Sequence, residues 1–352
     1  GGSLDANAQA RRLELPEVVK VVARDVRGRV RAARRAKRAA SAVRDFDPDV
    51  CIARRLSYDY TLPVILAATA CPVVAECNAV ASLESKEYRN QRTLPSERTR
   101  EIEYLRGADL CVAITDELAA QLFQLGVDSD HIEVVSNGVD TKLFSSVGPK
   151  DEAVLAWAMG FDVVLGYCAS VGPIHDLSTV ATALREIAER APRVGFLFVG
   201  PRDSDLLDAG LPERLVADRC LAVGRVPHGA VPAFLRCADV YWAALNNEHG
   251  SPLKVFEFFA LGGPVIIAAH GSGVQPVFEA RAGAVVPKGD ASALASAVLA
   301  RIVDRGLRES EGLSAARWVT ENATWEAVAV RIVDAVGRRT VARTEDGARW
   351  IH

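Results

Sequence analysis

At 352 residues the chain exceeds one ordinary domain and fits two α/β domains of average size. Hydrophobic residues make up 49% and charged residues 25%, with a net charge of -3, which excludes a disordered or collagen-like chain and gives no whole-protein attraction for nucleic acid. No uninterrupted apolar run is long enough to span a bilayer, and the opening residues lack a signal-peptide pattern, so a cytoplasmic protein is expected. Seven cysteines form no CxxC pair and six histidines show no metal-ligand spacing. Free buried thiols are expected, with no metal site and no cofactor.

The chain opens on Gly1-Gly2-Ser3 and then a helical pattern over residues 15–44. Twelve Lys and Arg fall between residues 11 and 44, and valines at 18, 19, 22, 26 and 30 form a stripe. The stripe is expected to pack on a sheet with the basic face in solvent; the alternative is peripheral contact with an anionic membrane at its inner face. Strand candidates follow at 50–53, 73–77, 110–114 and 132–135. Residues 144–150, punctuated by Ser-Ser and Gly-Pro, mark a joint, and Asn137-Gly138 beside it is expected to form a tight turn. A second strand series runs 163–169, 196–199, 220–223, 240–245, 265–268 and 284–286, with helical patterns at 116–125, 177–190 and 253–260. Apolar strands without polar alternation, each followed by a helix, predict two doubly wound parallel-sheet domains. Their boundaries are set at 1–145, 146–322 and 323–352, the last a helix over 325–336 packing back toward the first domain and a loose tail. The first strand candidate comes late, so the first domain is expected to lack its opening strand unit and to be the more mobile half.

The segment Asn247-Glu248-His249-Gly250-Ser251-Pro252-Leu253-Lys254-Val255-Phe256-Glu257 carries the most chemistry. A strand ends, a polar loop follows, and a helix begins near Pro252, with Ser251 suited to the N-cap. Free backbone N–H groups and the helix dipole make such a start a ready diphosphate site, and Lys254 adds a full charge. Glu257 lies three residues on, hence on the same face, where a carboxylate accepts both hydroxyls of a ribose. The competing reading is an ordinary cap with a surface ion pair between Lys254 and Glu257.

From about residue 47 to the helix at Trp325 the chain resembles the family-four retaining glycosyltransferases, also called group one, which have the two-lobed GT-B fold. The markers are Gly107-Ala108-Asp109, Ile114-Thr115-Asp116, Ser136-Asn137-Gly138-Val139-Asp140 with Phe144, and Gly166-Tyr167. Phe198-Val199-Gly200, Gly224-Arg225-Val226-Pro227, Ala238-Asp239-Val240 and Glu257 with Gly262-Gly263-Pro264 complete the order. The resemblance implies that Glu257 holds the donor ribose and that Gly250, Ser251, Pro252, Leu253 and Lys254 hold its diphosphate. It sets Gly224, Arg225 and Val226 against the base, Gly172 in the glycine turn of the donor lobe, and Asn78 where a histidine usually faces the sugar. Glu76, Asn78 and Glu84 are acceptor-side candidates. The co-substrate is a nucleoside-diphosphate sugar and the acceptor an unspecified hydroxyl, with no metal.

Two departures from the family stand out. Its paired glutamates are separated by seven residues; here Glu248 and Glu257 have eight between them, and His249 stands at the expected place. The Arg and Lys usual after the first donor-lobe strand are absent from Ser170-Val171-Gly172-Pro173-Ile174-His175-Asp176, so Lys254 is expected to supply that charge, with Arg225 second. Lys254 and Asn78 are thus the catalytic candidates. Two other readings stay open, a nucleotide-sugar epimerase on the same fold and an inactive nucleotide-binding scaffold.

Overall fold

A computed structural model describes residues 17–54, 61–80, 83, 95–172, 174–246, 253–269, 271 and 273–346. Two compact units divide the chain: residues 1–75 with 81–108, and residues 76–80 with 109–352. In the first unit α1 (Glu17–Phe46) packs on α2 (Thr61–Ala68). Small residues are buried on α1, Ala36 at 2% and Ala40 at 5% exposure, whereas Val30 of the valine stripe is half exposed. This corrects the expected packing of the stripe at that position: short side chains let two helices approach closely, and the remaining valine side chains lie outside the described residues. The basic residues Arg31, Arg34, Arg35, Lys37 and Arg38 are exposed.

A four-stranded sheet has the order β1 (Cys51–Arg54), β2 (Val73–Cys77), β3 (Leu110–Ala113) and β4 (Ile132–Val134). The helix α3 (Pro95–Arg106) precedes β3, and β3 pairs parallel with β4, Val112 opposite Glu133. Between those two strands lies α4 (Asp116–Gln124), opened by the Thr115 hydroxyl accepting from the Leu118 N–H at 3.1 Å. None of the seven cysteines forms a disulfide, and the Cys71 thiol lies 3.6 Å from the Cys51 sulfur.

After the linker, α5 (Glu152–Ala158) leads into a six-stranded parallel sheet. Its strands are β5 (Val163–Cys168), β6 (Val194–Val199), β7 (Cys220–Gly224), β8 (Val240–Ala244), β9 (Val265–Ala268) and β10 (Gly283–Val286), ordered β10-β9-β8-β5-β6-β7. Every residue of β5, β6 and β9 is buried, which is why these strands read as unbroken apolar runs. Alternate side chains serve opposite faces. Leu165, Tyr167, Phe196, Phe198 and Trp242 join α6 (Leu177–Arg190) and α12 (Ala291–Val303) in one core. Cys168, Val199 and Tyr241 join α10 (Leu253–Ala260) and α13 (Arg305–Asn322) in the other. The short helices α7 (Asp203–Asp208), α8 (Glu213–Arg219), α9 (Val231–Leu235) and α11 (Gln275–Ala280) complete the connections. Gly200 is glycine for a steric reason: its φ is +114° and a Cβ there would lie 1.9 Å from the Ala169 carbonyl oxygen.

The final helix α14 (Trp325–Asp346) runs ten residues past the expected end at 336. The polar stretch expected to be a loose tail is helical as far as Asp346, and Arg338 reaches Glu133 of β4 at 3.0 Å, a contact between residues 205 positions apart in the chain. Gly138, expected in a tight turn, has no left-handed backbone. Instead its missing side chain admits the start of α14, since a Cβ would meet the Trp325 nitrogen at 2.7 Å. Val139 donates to the Ala323 carbonyl beside it at 2.8 Å. Among the described residues no helix is long and apolar enough to cross a membrane.

Candidate functional site

The site lies in the second unit, at the carboxyl ends of β5, β7 and β8, where open parallel sheets receive ligands. Helix α10 begins nine residues after β8 ends, with Lys254 as its second residue. Val255, Phe256, Phe258 and Phe259 bury the helix in the core, stacking Phe258 on Tyr241 and Phe256 on Trp318. Packing on that scale fixes where the remaining polar side chains of the helix can point.

Glu257 is one of them, and it is buried at 6% exposure. Its two carboxylate oxygens are held by different elements. Lys254 Nζ donates to Oε2 at 2.7 Å from one turn earlier on the same helix. His228 Nε2 lies 3.1 Å from Oε1, contributed by the turn after β7. An ionised carboxylate only accepts, so Nε2 carries the proton in this contact. The expectation of Lys254 and Glu257 on one face therefore holds as geometry, with the carboxylate end of the ion pair buried and the lysine end reaching solvent.

Burial opposes the charge on Lys254, but the Cys168 sulfur at the end of β5 and the Glu257 carboxylate outweigh it and raise the ammonium pKa. Lys254 thus stays cationic through neutral pH. Burial also pushes the Cys168 thiol up, with the neighbouring Lys254 ammonium pulling the other way. His175 is half-buried, and burial together with the Lys254 charge holds it below the ordinary histidine value.

The segment after β5 is zipped to the end of β8. Asp176 N–H donates to Ala244 O at 3.0 Å and Asn246 N–H to Ile174 O at 2.9 Å, while His175 N–H closes the turn on Gly172 O at 3.1 Å. A Cβ at Gly172 would meet nothing within 4 Å, so contacts inside the protein do not demand glycine there. Gly224 has φ +68° and ends β7; Arg225 after it is exposed and Val226 half-buried. Lys288, in the turn after β10, donates to the Asn246 carbonyl at 2.9 Å, where the polar loop begins.

Lys254, Glu257 and the carboxyl ends of β5 and β7 are therefore brought together. Glu76 is the penultimate residue of β2 and Asn78 follows the strand, both half-buried and on the other sheet. Glu84, Glu248, His249, Gly250, Ser251 and Pro252 lie outside the described residues, and Leu253, first in α10, is exposed. Sequence reasoning passed over His228 and Cys168. Neither sits at a diagnostic spacing; the sole local hint is that His228 follows Pro227, directly after the glycine turn. Among the described residues no group of three or more His, Cys, Asp or Glu side chains is arranged to hold a metal ion.

A Glycosyltransferase Family 4 model matches residues 3–143, and a Glycosyl transferases group 1 model matches residues 162–304. The D-inositol 3-phosphate glycosyltransferase of Kribbella flavida is 29% identical over 235 residues, 63% of this chain and 54% of that one. A GDP-mannose-dependent phosphatidylinositol monomannoside mannosyltransferase of Mycolicibacterium smegmatis is 25% identical, covering 60% of this chain and 58% of its own length. The chain spans about half the length of the curated relatives it matches. Among solved structures, Anabaena Alr3699/HepE in complex with UDP and glucose superposes with a TM-score of 0.66 at 15% identity, over 86% of this chain and 80% of that one. Sucrose-phosphate synthase from Thermosynechococcus elongatus gives 0.69 at 20% identity, over 88% and 78%. These likenesses, with the two parallel sheets, make the fold GT-B.

Proposed function

The chain belongs to the family-four, group one glycosyltransferases, and from that membership we propose that it moves a sugar from a nucleoside-diphosphate-sugar donor to a hydroxyl acceptor with retention of configuration. The observation that carries this reading is the buried Glu257 carboxylate one helical turn behind a charged Lys254, at the carboxyl ends of parallel strands. A buried carboxylate with solvent-reaching partners suits recognition of ribose hydroxyls, and the ammonium suits a diphosphate.

In this scheme Glu257 accepts from the ribose. Lys254 and the loop Gly250–Ser251–Pro252–Leu253 take the diphosphate, with Glu248 and His249 as further donor-side residues, and Gly172, with open space where a Cβ would stand, lets backbone approach the diphosphate. Gly224, Arg225 and Val226 border the base. Asn78 orients the transferred sugar, with Glu76 and Glu84 on the acceptor side. The bond from the anomeric carbon to the β-phosphate oxygen breaks as the acceptor oxygen attacks the same face. The acceptor proton passes to the departing phosphate oxygen, so neither a covalent nucleophile nor a metal is required. Lys254 has three N–H donors, so it can keep Glu257 while contacting phosphate, and it stabilises charge that grows only as the bond breaks.

The relatives differ in the donor their names give, GDP-mannose for one and a UDP complex for another, so the base is left to experiment. Thermal stabilisation by UDP, GDP and ADP should single out one base, because ligand that binds only the folded state adds to its stability. The matching sugar nucleotides, supplied with saccharide and lipid-linked acceptors, should then release nucleoside diphosphate. If no nucleotide stabilises the fold, the site reading fails. A new nucleotide sugar formed from donor alone would instead make the chain an epimerase.

A further inference from the structure

We propose that His228 is a positioning residue that sets the plane of the Glu257 carboxylate for ribose recognition. The inference rests on the ribose role given to Glu257 above. A glutamate carboxylate turns freely about its last torsion, where the energy wells are broad. Lys254 alone does not stop that rotation, since it grips one oxygen from the same helix. The second grip comes from a separate element. His228 Nε2 meets Oε1 at 3.1 Å while Lys254 Nζ meets Oε2 at 2.7 Å, so each oxygen is claimed from a different direction.

His228 is itself seated, although its side chain is 63% exposed. It opens the turn directly after Pro227, and its ring lies 5.2 Å from the ring of Phe144. Phe144 is buried at 1% exposure, and Arg236 clamps its neighbours, donating to Leu143 O at 2.9 Å and to Ser145 O at 2.7 Å. An exposed imidazole held on a rigid seat is suited to orient a group rather than to fill the core.

The lone pairs then match in number. An ionised carboxylate offers about four acceptor sites, two on each oxygen. Lys254 and His228 occupy one on each oxygen, which leaves one on each for the 2′- and 3′-hydroxyls of a ribose. His228 thereby makes ribose recognition directional without touching the ligand.

Calorimetry of the whole chain with UDP, GDP and ADP, each beside its 2′-deoxy counterpart, tests this. The wild type should bind the preferred ribonucleotide about tenfold more tightly than the deoxy form. His228→Ala should lose most of that ratio through weaker ribonucleotide binding, with deoxynucleotide affinity unchanged. His228→Gln, which restores an N–H donor, should recover part of it. In a Glu257→Gln background, His228→Ala should leave the ratio unmoved. A ratio in His228→Ala equal to the wild type's overturns the proposal, as does an equal loss for both nucleotide forms. A wild type that binds both forms equally removes the ribose role of Glu257, and the proposal with it.

Discussion

Two buried carboxylates in the second unit are built in opposite ways. Glu311 on α13 is 7% exposed, and one side chain claims both its oxygens: Arg301 donates to Oε1 at 2.7 Å and to Oε2 at 3.0 Å. The same guanidinium reaches the Gly283 and Ala297 carbonyls, at 3.0 and 3.1 Å, and its side chain is 12% exposed. Glu257 is equally buried, yet its oxygens are shared between two side chains that are 34% and 63% exposed. A planar fork shut away from water ties α12, α13 and β10 into one body. A carboxylate whose partners reach solvent can admit further donors without exposing an unpaired charge. Burial alone therefore does not distinguish the two acids; the solvent access of their partners does.

The largest effect should come from breaking the closed pair. Arg301→Ala leaves Glu311 buried without its cation and should cost about 3–5 kcal/mol in urea unfolding. A smaller loss there would show that the two sites are not so different. Glu257→Ala should weaken nucleotide binding by about 1.5–3 kcal/mol, the worth of charge-assisted hydrogen bonds, while costing less stability than Arg301→Ala. Unchanged affinity in calorimetry would turn Glu257 into a second structural acid. Lys254→Ala should lower turnover more than it lowers affinity for the bare nucleoside. Normal transfer by that variant would pass the phosphate role to another cation, with Arg225 next to be changed.

The smallest effect concerns pH. Burial and the Lys254 charge hold His175 below its ordinary 6.5 in the folded chain. The unfolded chain therefore takes up this proton first. Stability should be level above pH 6.5 and fall as pH drops below it, until the folded histidine also protonates. His175→Gln should remove this part of the loss, read from urea midpoints between about pH 5 and 8. Lys254→Ala should shrink it, because one of its two causes is gone. An acid-side slope identical in all three proteins would place the titrating group elsewhere.

Much of the architecture was legible in the amino-acid sequence, for a physical reason. Strands covered on both faces are apolar along their length, so β9 ended where its apolar run ends, at Ala268, and β2 ended at Cys77 as expected although it carries the half-buried Glu76. The helix α6 ran from Leu177 to Arg190 as its period indicated, with Asp176 capping it by accepting from the Thr179 N–H at 3.1 Å. Lys254 and Glu257 fell on one face because residues three apart on a helix always do. What determined these features lies within a few residues of each position, and the sequence by itself holds that information.

Contacts made across the chain were decided only by the tertiary structure. The continuation of α14 beyond 336 carries Arg338 to Glu133, a partner that no local pattern announces. Gly138 looked like a turn residue because Asn-Gly usually is one, but its absent side chain admits the backbone of a helix that begins almost 190 residues later. On α1 the buried side chains include alanines 36 and 40 and not Val30, in a helix that packs on another helix, α2. His228 joined Glu257 because the turn after β7 and the start of α10 meet at the same end of the sheet, 29 residues apart in the chain. Local periodicity specifies which side of an element is apolar, whereas the identity of what lies against that side is set when distant segments pack.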